Sequence, residues 1–214
     1  MRIYYIGGSP CAGKSTVAEE LSRRYGLFYF KVDDYLDIYS RMGAAEDRSA
    51  AGTDSLEGEN FRICRKQLDW SAEQIWMRNP EIQYKEELIY YREIFGFIQR
   101  DLEKLSETQN IITEGAAYLP ELMAMEQIPK SRYLSITPTK EFQLFHFRKR
   151  EFVPYILRDC SDSSRAFQNW MERDILFAEE VRRQCGKYGY VSVVNDGTEE
   201  IEAMVNRAAA HFGF

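Results

Sequence analysis

Ile3-Tyr4-Tyr5-Ile6-Gly7-Gly8-Ser9-Pro10-Cys11-Ala12-Gly13-Lys14-Ser15-Thr16 is an apolar run followed at once by the spacing G-x-x-x-x-G-K-[S/T], which spans Gly8 to Ser15. The apolar run predicts a buried strand over about 2–6. Val17, Leu21 and Tyr25, at i, i+4 and i+8, predict the helix that follows the loop, with Gly26 ending it. A glycine-rich turn between such a strand and helix lets successive backbone N–H groups point inward around a phosphate. In that arrangement Lys14 reaches the β- and γ-phosphates, Ser15 offers a hydroxyl to Mg²⁺, and the helix dipole favours the anion. The nucleotide-binding residues expected here are Gly8, Ser9, Pro10, Cys11, Ala12, Gly13, Lys14, Ser15 and Thr16.

Outward from this unit the chain alternates strand and helix signals. The run 27–32 predicts a second buried strand, closing on the carboxylate pair Asp33-Asp34. No further strand is expected over 35–109, which reads as a helical insertion. Within it, 43–60 is rich in Gly, Ala, Ser and acids and predicts a mobile loop. Asn79-Pro80 predicts a helix start, after which Leu88, Tyr91, Phe95, Ile98, Leu102 and Leu105 mark one face of a long helix. Strands are then expected at 110–113, ending at Glu114-Gly115, at 132–136, and at 190–194. Thr137-Pro138-Thr139 predicts the cap of a helix carrying Phe142, Phe145 and His146, and 195–198 a turn before a final helix. Alternation of this kind implies a parallel sheet covered on both faces, with ligands beyond the carboxyl ends of its strands. Asp33, Glu114 and Asn195 all fall at that edge.

A chain of 214 residues suits one domain with an insertion. Its formal net charge of −6 argues against nonspecific nucleic-acid binding, which needs a cationic surplus. Cys11, Cys64, Cys160 and Cys185 show no C-x-x-C spacing, and two histidines, His146 and His211, give no zinc set. Reduced thiols, a first strand at the start of the chain and no apolar stretch of membrane-span length predict a soluble, cytoplasmic protein with no membrane partner.

The accessory residues narrow the chemistry. A guanine-reading Asn-Lys-x-Asp is absent, and the third strand ends in Glu114 rather than in the Asp or Asp-Glu of motor-type ATPases. A carboxylate after the second strand is suited to orienting a hydroxyl acceptor and taking its proton as the bond to phosphorus forms. Asp33 is the candidate, with Asp34 next to it. The rival reading makes the pair a helix N-cap and a first-turn acid, where Asp is favoured.

The set GSPCAGKS at 8–15, KVDDYL at 31–36, ITEG at 112–115, the arginine-rich stretch 148–173 and NDGT at 195–198 resembles the nucleoside and nucleotide kinase-like small-molecule kinases of the phosphate-loop NTPases. The resemblance covers essentially the whole chain. It implies a three-layer α/β fold whose five-stranded parallel sheet has the order 2-3-1-4-5, with helices on both faces, the helical insertion on the acceptor side and a lid over about 151–165. It also implies ATP and Mg²⁺ as cofactors, with Ser15 and Glu114 on the metal, and Asp33 as the acceptor-activating group. Arginines of the lid region would stabilise the transferring phosphoryl group, with Arg150 and Arg158 the leading candidates and Arg165 and Arg173 behind them. The turn after the fifth strand, through Asn195 and Gly197, would contact the base. Trp70, Trp76, Arg78, Tyr90, Tyr91 and Arg92 of the insertion are candidates for an acceptor pocket. The expected activity is phosphorylation of a hydroxyl on a nucleoside, nucleotide, sugar or antibiotic-like metabolite. The alternatives are an RNA-directed kinase and a nucleotide-binding switch or regulatory ATPase with no acceptor.

Overall fold

Successive side chains of β1 (Ile3–Gly8) turn to opposite faces of the sheet, and each face meets a different set of helices. Tyr4 and Ile6 join Ile112, Leu134 and Val193 in a core closed by Val17 and Leu21 of α1 (Lys14–Tyr25) and Met204, Val205 and Phe212 of α10 (Ile201–Phe212). Tyr5 instead joins Phe30, Ile111 and Tyr133 in a larger core under α5 (Pro80–Ser106), α6 (Pro120–Met125) and α9 (Ser163–Tyr188). The computed structural model describes residues 1–50 and 62–214, with 47–50 as backbone alone.

The sheet is parallel throughout, in the order β2-β3-β1-β4-β5. Its other strands are β2 (Phe28–Lys31), β3 (Ile111–Glu114), β4 (Tyr133–Pro138) and β5 (Val191–Asn195). Together with helices on both faces, this is the three-layer order expected from the sequence. Register fixes the functional edge. Ile6 pairs with Glu114 and Lys31 with Glu114, so the loop after β1, the end of β3 and the turn after β2 emerge side by side. At Gly8 the backbone of β1 runs so close to β4 that a Cβ would lie 1.8 Å from the Ile136 carbonyl oxygen, at a φ of +124°. Only glycine fits there.

Several boundaries differ from the sequence expectation. β2 starts at Phe28, which is exposed because β2 is an edge strand, and Val32 belongs to a 3₁₀ turn (Val32–Tyr35) that carries Asp33 and Asp34. β4 runs two residues past Ile136, to Pro138. The predicted loop over 43–60 is helical in its first part, as α2 (Leu36–Ala50) continues to residue 50. Gly43 and Ala44 are buried, and α2 packs beside α3 (Arg62–Asp69). The rest of that stretch, 51–60, lies outside the described residues. Glu93 of α5 accepts from the free N–H groups of Ile63 and Cys64, which fixes the start of α3.

The long insertion helix begins as predicted. Asn79 accepts from the Glu81 N–H at 2.7 Å, Pro80 occupies the first turn, and Leu88, Tyr91, Phe95, Ile98 and Leu102 are buried. The segment 151–165, expected as a lid, has buried residues of its own. Its helix α8 (Phe152–Leu157) places Val153 and Leu157 in a third apolar cluster with Phe147, Cys160, Trp170 and Met171. Ser161 donates through both its N–H and its hydroxyl to the Glu73 carboxylate of α4 (Ala72–Trp76), tying this segment to the insertion. No helix among the described residues is long and apolar enough to cross a membrane.

Candidate active site

The phosphate loop opens into α1 through Gly13, at a φ of +89°, which as a glycine offers no side-chain cap, and no acid stands in the helix's first turn. The first-turn N–H groups are thus free to receive an anion. Lys14 is buried and donates its ammonium to the Ser9 carbonyl at 2.7 Å, spanning the loop it belongs to. Ser15 donates to Glu114 Oε1 at 2.9 Å, and Tyr29 donates to the same oxygen at 3.1 Å. Glu114 is buried, with no Lys or Arg paired to it among the described residues. A buried carboxylate beside the Ser15 hydroxyl suits a divalent cation. No group of three or more His, Cys, Asp or Glu able to hold a metal lies together among the described residues. Ser15 and Glu114 are the residues of this edge that could hold a cation, which would draw its remaining ligands from water or a bound molecule.

A cavity of about 370 Å³ lies over the loop. It is lined by residues 10–16, by Asp33 and Glu114, and by Glu87 and Tyr91 of α5. Arg150, Phe152, Trp170 and Arg173 complete the wall. The geometry separates the two adjacent aspartates. Asp33 lines the cavity, whereas Asp34 faces Lys31 at 3.6 Å on the outside. Arg150 stands over Phe147 and Phe152, its guanidinium 5.0 and 5.6 Å from their ring centres, and lies beside Cys11, whose thiol burial pushes up. It also borders a smaller hollow of about 260 Å³ formed with Cys11, Gly13, Phe142, His146 and Lys149.

Other expected residues stand elsewhere. Arg158 is exposed, paired with Asp159 at 3.3 Å and stacked over Tyr155, outside the cavity. Its place on the wall is taken by Arg173, because the regular turns of α9 carry residue 173 back toward the loop. Asn195 is buried behind the loop and does not line the cavity. Its amide donates to the Ala12 carbonyl at 3.1 Å, and its Oδ1 accepts from the Gly197 N–H, so it braces the loop against β5. Gly197 packs against Phe142. Of the insertion candidates, Tyr91 reaches the cavity. Trp76 does not line it; its ring stacks on Trp170 at 4.4 Å and carries the Arg173 guanidinium 5.1 Å from its centre. Trp70 sits under Arg78, which pairs with Glu86; Tyr90 bonds Ser40, and Arg92 pairs with Glu121.

Sequence reasoning missed Glu87 and Asp174. Tyr91 donates to Glu87 Oε1 at 3.1 Å, while Glu87 Oε2 lies 3.3 Å from Arg173 Nε. Asp174 Oδ1 accepts from the same Nε at 2.8 Å and lies 2.6 Å from Nη2, so both carboxylates meet the Nε edge of the guanidinium. Burial pushes Glu87 up to about 7 and raises Asp174 as well. Burial by itself would lower Arg173, but the Asp174 and Glu87 carboxylates hold it above its ordinary value. A signal for Glu87 did exist: it is an acid four residues before Tyr91 on the buried face of an amphipathic helix, where a charge needs a partner.

No protein-family model matches this chain, and no curated protein matches it. Among solved structures it is similar to one described as "a putative kinase" from Chloroflexus aurantiacus J-10-fl, at 13% identity and a TM-score of 0.45, over 98% of this chain and 97% of that one. It is also similar to the shikimate kinase from Aquifex aeolicus VF5, at 20% identity and a TM-score of 0.40, over 100% of this chain and 96% of that one.

Proposed function

We propose that this protein is an ATP- and Mg²⁺-dependent phosphotransferase that phosphorylates a hydroxyl group of a small molecule. The observation that carries the reading is the position of Asp33. Its carboxylate shares a single cavity of about 370 Å³ with the phosphate loop, Arg150 and Arg173. A carboxylate facing the phosphate loop across a shared space can orient an acceptor hydroxyl and take its proton.

In this reading the loop N–H groups and Lys14 hold the β- and γ-phosphates, and Lys14 exchanges the Ser9 carbonyl for a phosphate oxygen. Ser15 and Glu114 hold Mg²⁺, which supplies charge neutralisation on the phosphate oxygens. Asp33 accepts a hydrogen bond from the acceptor hydroxyl and takes its proton. The acceptor oxygen bonds to the γ-phosphorus, and the β–γ bridging oxygen leaves with ADP. Arg150 and Arg173 face the equatorial oxygens, where negative charge is spread in the transition state. The hollow beside Phe142 and His146 is the place for the base, and Arg150 borders both spaces.

The test is ADP release from MgATP in water alone and with a panel of hydroxyl compounds. A phosphotransferase hydrolyses slowly until its acceptor arrives. Release that no compound stimulates would assign the chain to the switches or ATPases instead.

A further inference from the structure

Arg150 and Arg173 both line the cavity, but they are held in different ways. Arg150 is exposed and rests on the rings of Phe147 and Phe152. The Arg173 side chain is 13% exposed and is held along one edge of its guanidinium. Asp174 Oδ1 accepts from Nε at 2.8 Å and lies 2.6 Å from Nη2, while Glu87 Oε2 lies 3.3 Å from the same Nε. The guanidinium also stands over the Trp76 ring, 5.1 Å from its centre. A guanidinium presents its N–H groups in a rigid planar fork. With the Nε edge taken, the N–H groups of Nη1 and the second of Nη2 remain, and Nη1 has no hydrogen bond or ion pair among the described residues. That end of the fork can meet two oxygens of a phosphoryl group at once.

From this arrangement, and resting on the phosphotransferase reading above, we infer that Asp174 is a positioning residue for phosphoryl transfer, holding Arg173 by its Nε edge so that the Nη1 end is presented to the transferring group. Asp174 is buried and does not line the cavity, so the edge it holds is turned away from the ligand space. A carboxylate anywhere near a buried arginine would answer its charge. Asp174 does more, because one of its oxygens spans Nε and Nη2 and so fixes the plane of the guanidinium as well. An arginine side chain has many rotamers, and they must be frozen before its N–H groups can act on the charge that builds up in the transition state. Asp174 freezes them beforehand, which leaves little reorganisation for the moment of transfer. Glu87 adds a longer contact at the same Nε and is itself fixed by the Tyr91 hydroxyl. The sequence alone places Asp174 next to Arg173 on α9, but adjacent residues of a helix point in different directions, and only the packed structure turns this carboxylate back onto its neighbour.

The test uses MgADP with aluminium fluoride, which mimics a phosphoryl group in transit and needs no acceptor. Its dissociation constant is compared with that of MgADP alone for the intact native protein, Asp174→Asn, Arg173→Met and the double variant. The native protein should bind the mimic more tightly than MgADP. Asp174→Asn should reduce that preference by about tenfold or more, with MgADP affinity within about twofold of native, and in the Arg173→Met background the same substitution should change the preference by less than about twofold. A native preference retained by Asp174→Asn overturns the inference and leaves the phosphotransferase reading intact. So does an equal loss with and without Arg173, since a carboxylate that only supports the fold acts alike in both backgrounds. A native protein with no preference for the mimic overturns both. Where a variant does not fold, the ¹⁵N-resolved guanidinium signals of Arg173 in the native protein decide. Addition of the mimic should shift the Nη signals and leave the Nε proton in place; an Nε signal that moves with them shows the guanidinium leaving Asp174 and overturns the inference.

Discussion

Ser15 Oγ lies 2.9 Å from Glu114 Oε1, so the first hydroxyl of α1 is joined to the last residue of β3 across the carboxyl edge of the sheet. The same oxygen accepts from Tyr29, and the carboxylate is buried. If this pair shares Mg²⁺ with the nucleotide, Glu114→Gln should raise the Mg²⁺ concentration needed for half-maximal turnover by about 10- to 100-fold, the usual effect of an outer-shell partner. A Mg²⁺ titration at fixed ATP checks this. An unchanged midpoint makes Glu114 a structural acceptor for two hydroxyls and no more.

Asp33→Asn should lower kcat by about 10²- to 10⁴-fold with ATP affinity nearly unchanged, because the amide keeps the size of the side chain and loses the capacity to take a proton. Asp34→Asn should change kcat by less than about threefold, since its carboxylate faces Lys31 outside the cavity and an exposed pair of this kind contributes little. Rates for the two variants under saturating substrates decide between the neighbours. Equal losses would mean that the turn moves as a unit and that neither carboxylate is the base.

Glu87 makes stability fall as pH rises. Its ordinary value is 4.5, and burial, helped by the Asp174 carboxylate and opposed by Arg173, the Tyr91 hydroxyl and Lys14, raises it to about 7. Below 4.5 both folded and unfolded chains hold the proton. Between 4.5 and about 7 the folded chain holds more of it, so stability declines through that window and stays lower above it. Asp174, also raised by burial, adds a decline of the same sign. Glu87→Gln cannot ionise, so the melting temperature of the variant relative to the native protein should become more favourable from pH 4.5 to pH 8. A difference that stays flat across the range would show that Glu87 titrates normally.

Asn195→Ala should cost about 1 to 3 kcal/mol of stability and weaken ATP binding together, because it removes the amide that bonds the Ala12 carbonyl and leaves that buried oxygen without its partner. Thermal melting and a nucleotide titration on one sample measure both. A loss of ATP affinity with no change in melting would restore Asn195 to the direct contact expected from sequence.

Glu73 anchors Ser161 through two hydrogen bonds, and this joins the segment over the cavity to the insertion. Glu73→Ala should speed amide exchange over 152–162 by about tenfold, on the order of the 1 to 1.5 kcal/mol lost with an exposed charged hydrogen bond. In the native protein, a nucleotide and acceptor added together should slow exchange there if the segment closes as a lid. Exchange unaffected by ligand would make it a fixed wall.

The phosphate loop was legible without the fold because everything it needs is contiguous: strand, glycine turn, Lys14, Ser15 and helix are set by neighbouring residues. The same holds for the start of α5 at Asn79-Pro80 and for its buried face, where a period of 3.6 residues is a local property. Parallel strands alternating with helices likewise pointed to a layered sheet. The end of α2 was misread because the helix is held there by tertiary packing of Gly43 and Ala44, which local composition does not reveal.

Which charges face which was decided by tertiary structure. Arg158 and Arg173 are both arginines in the same stretch, yet α8 leaves one outside while α9, packed along α5, brings the other between Glu87 and Asp174. Asn195 belongs to the expected turn, but its side chain points inward because the Ala12 carbonyl, 183 residues earlier, is there to receive it. Local sequence sets backbone conformation and periodicity through interactions a few residues long. The partner of a buried charge or amide is chosen by the packing of elements distant in the chain, where water is excluded and an unpaired polar atom is costly.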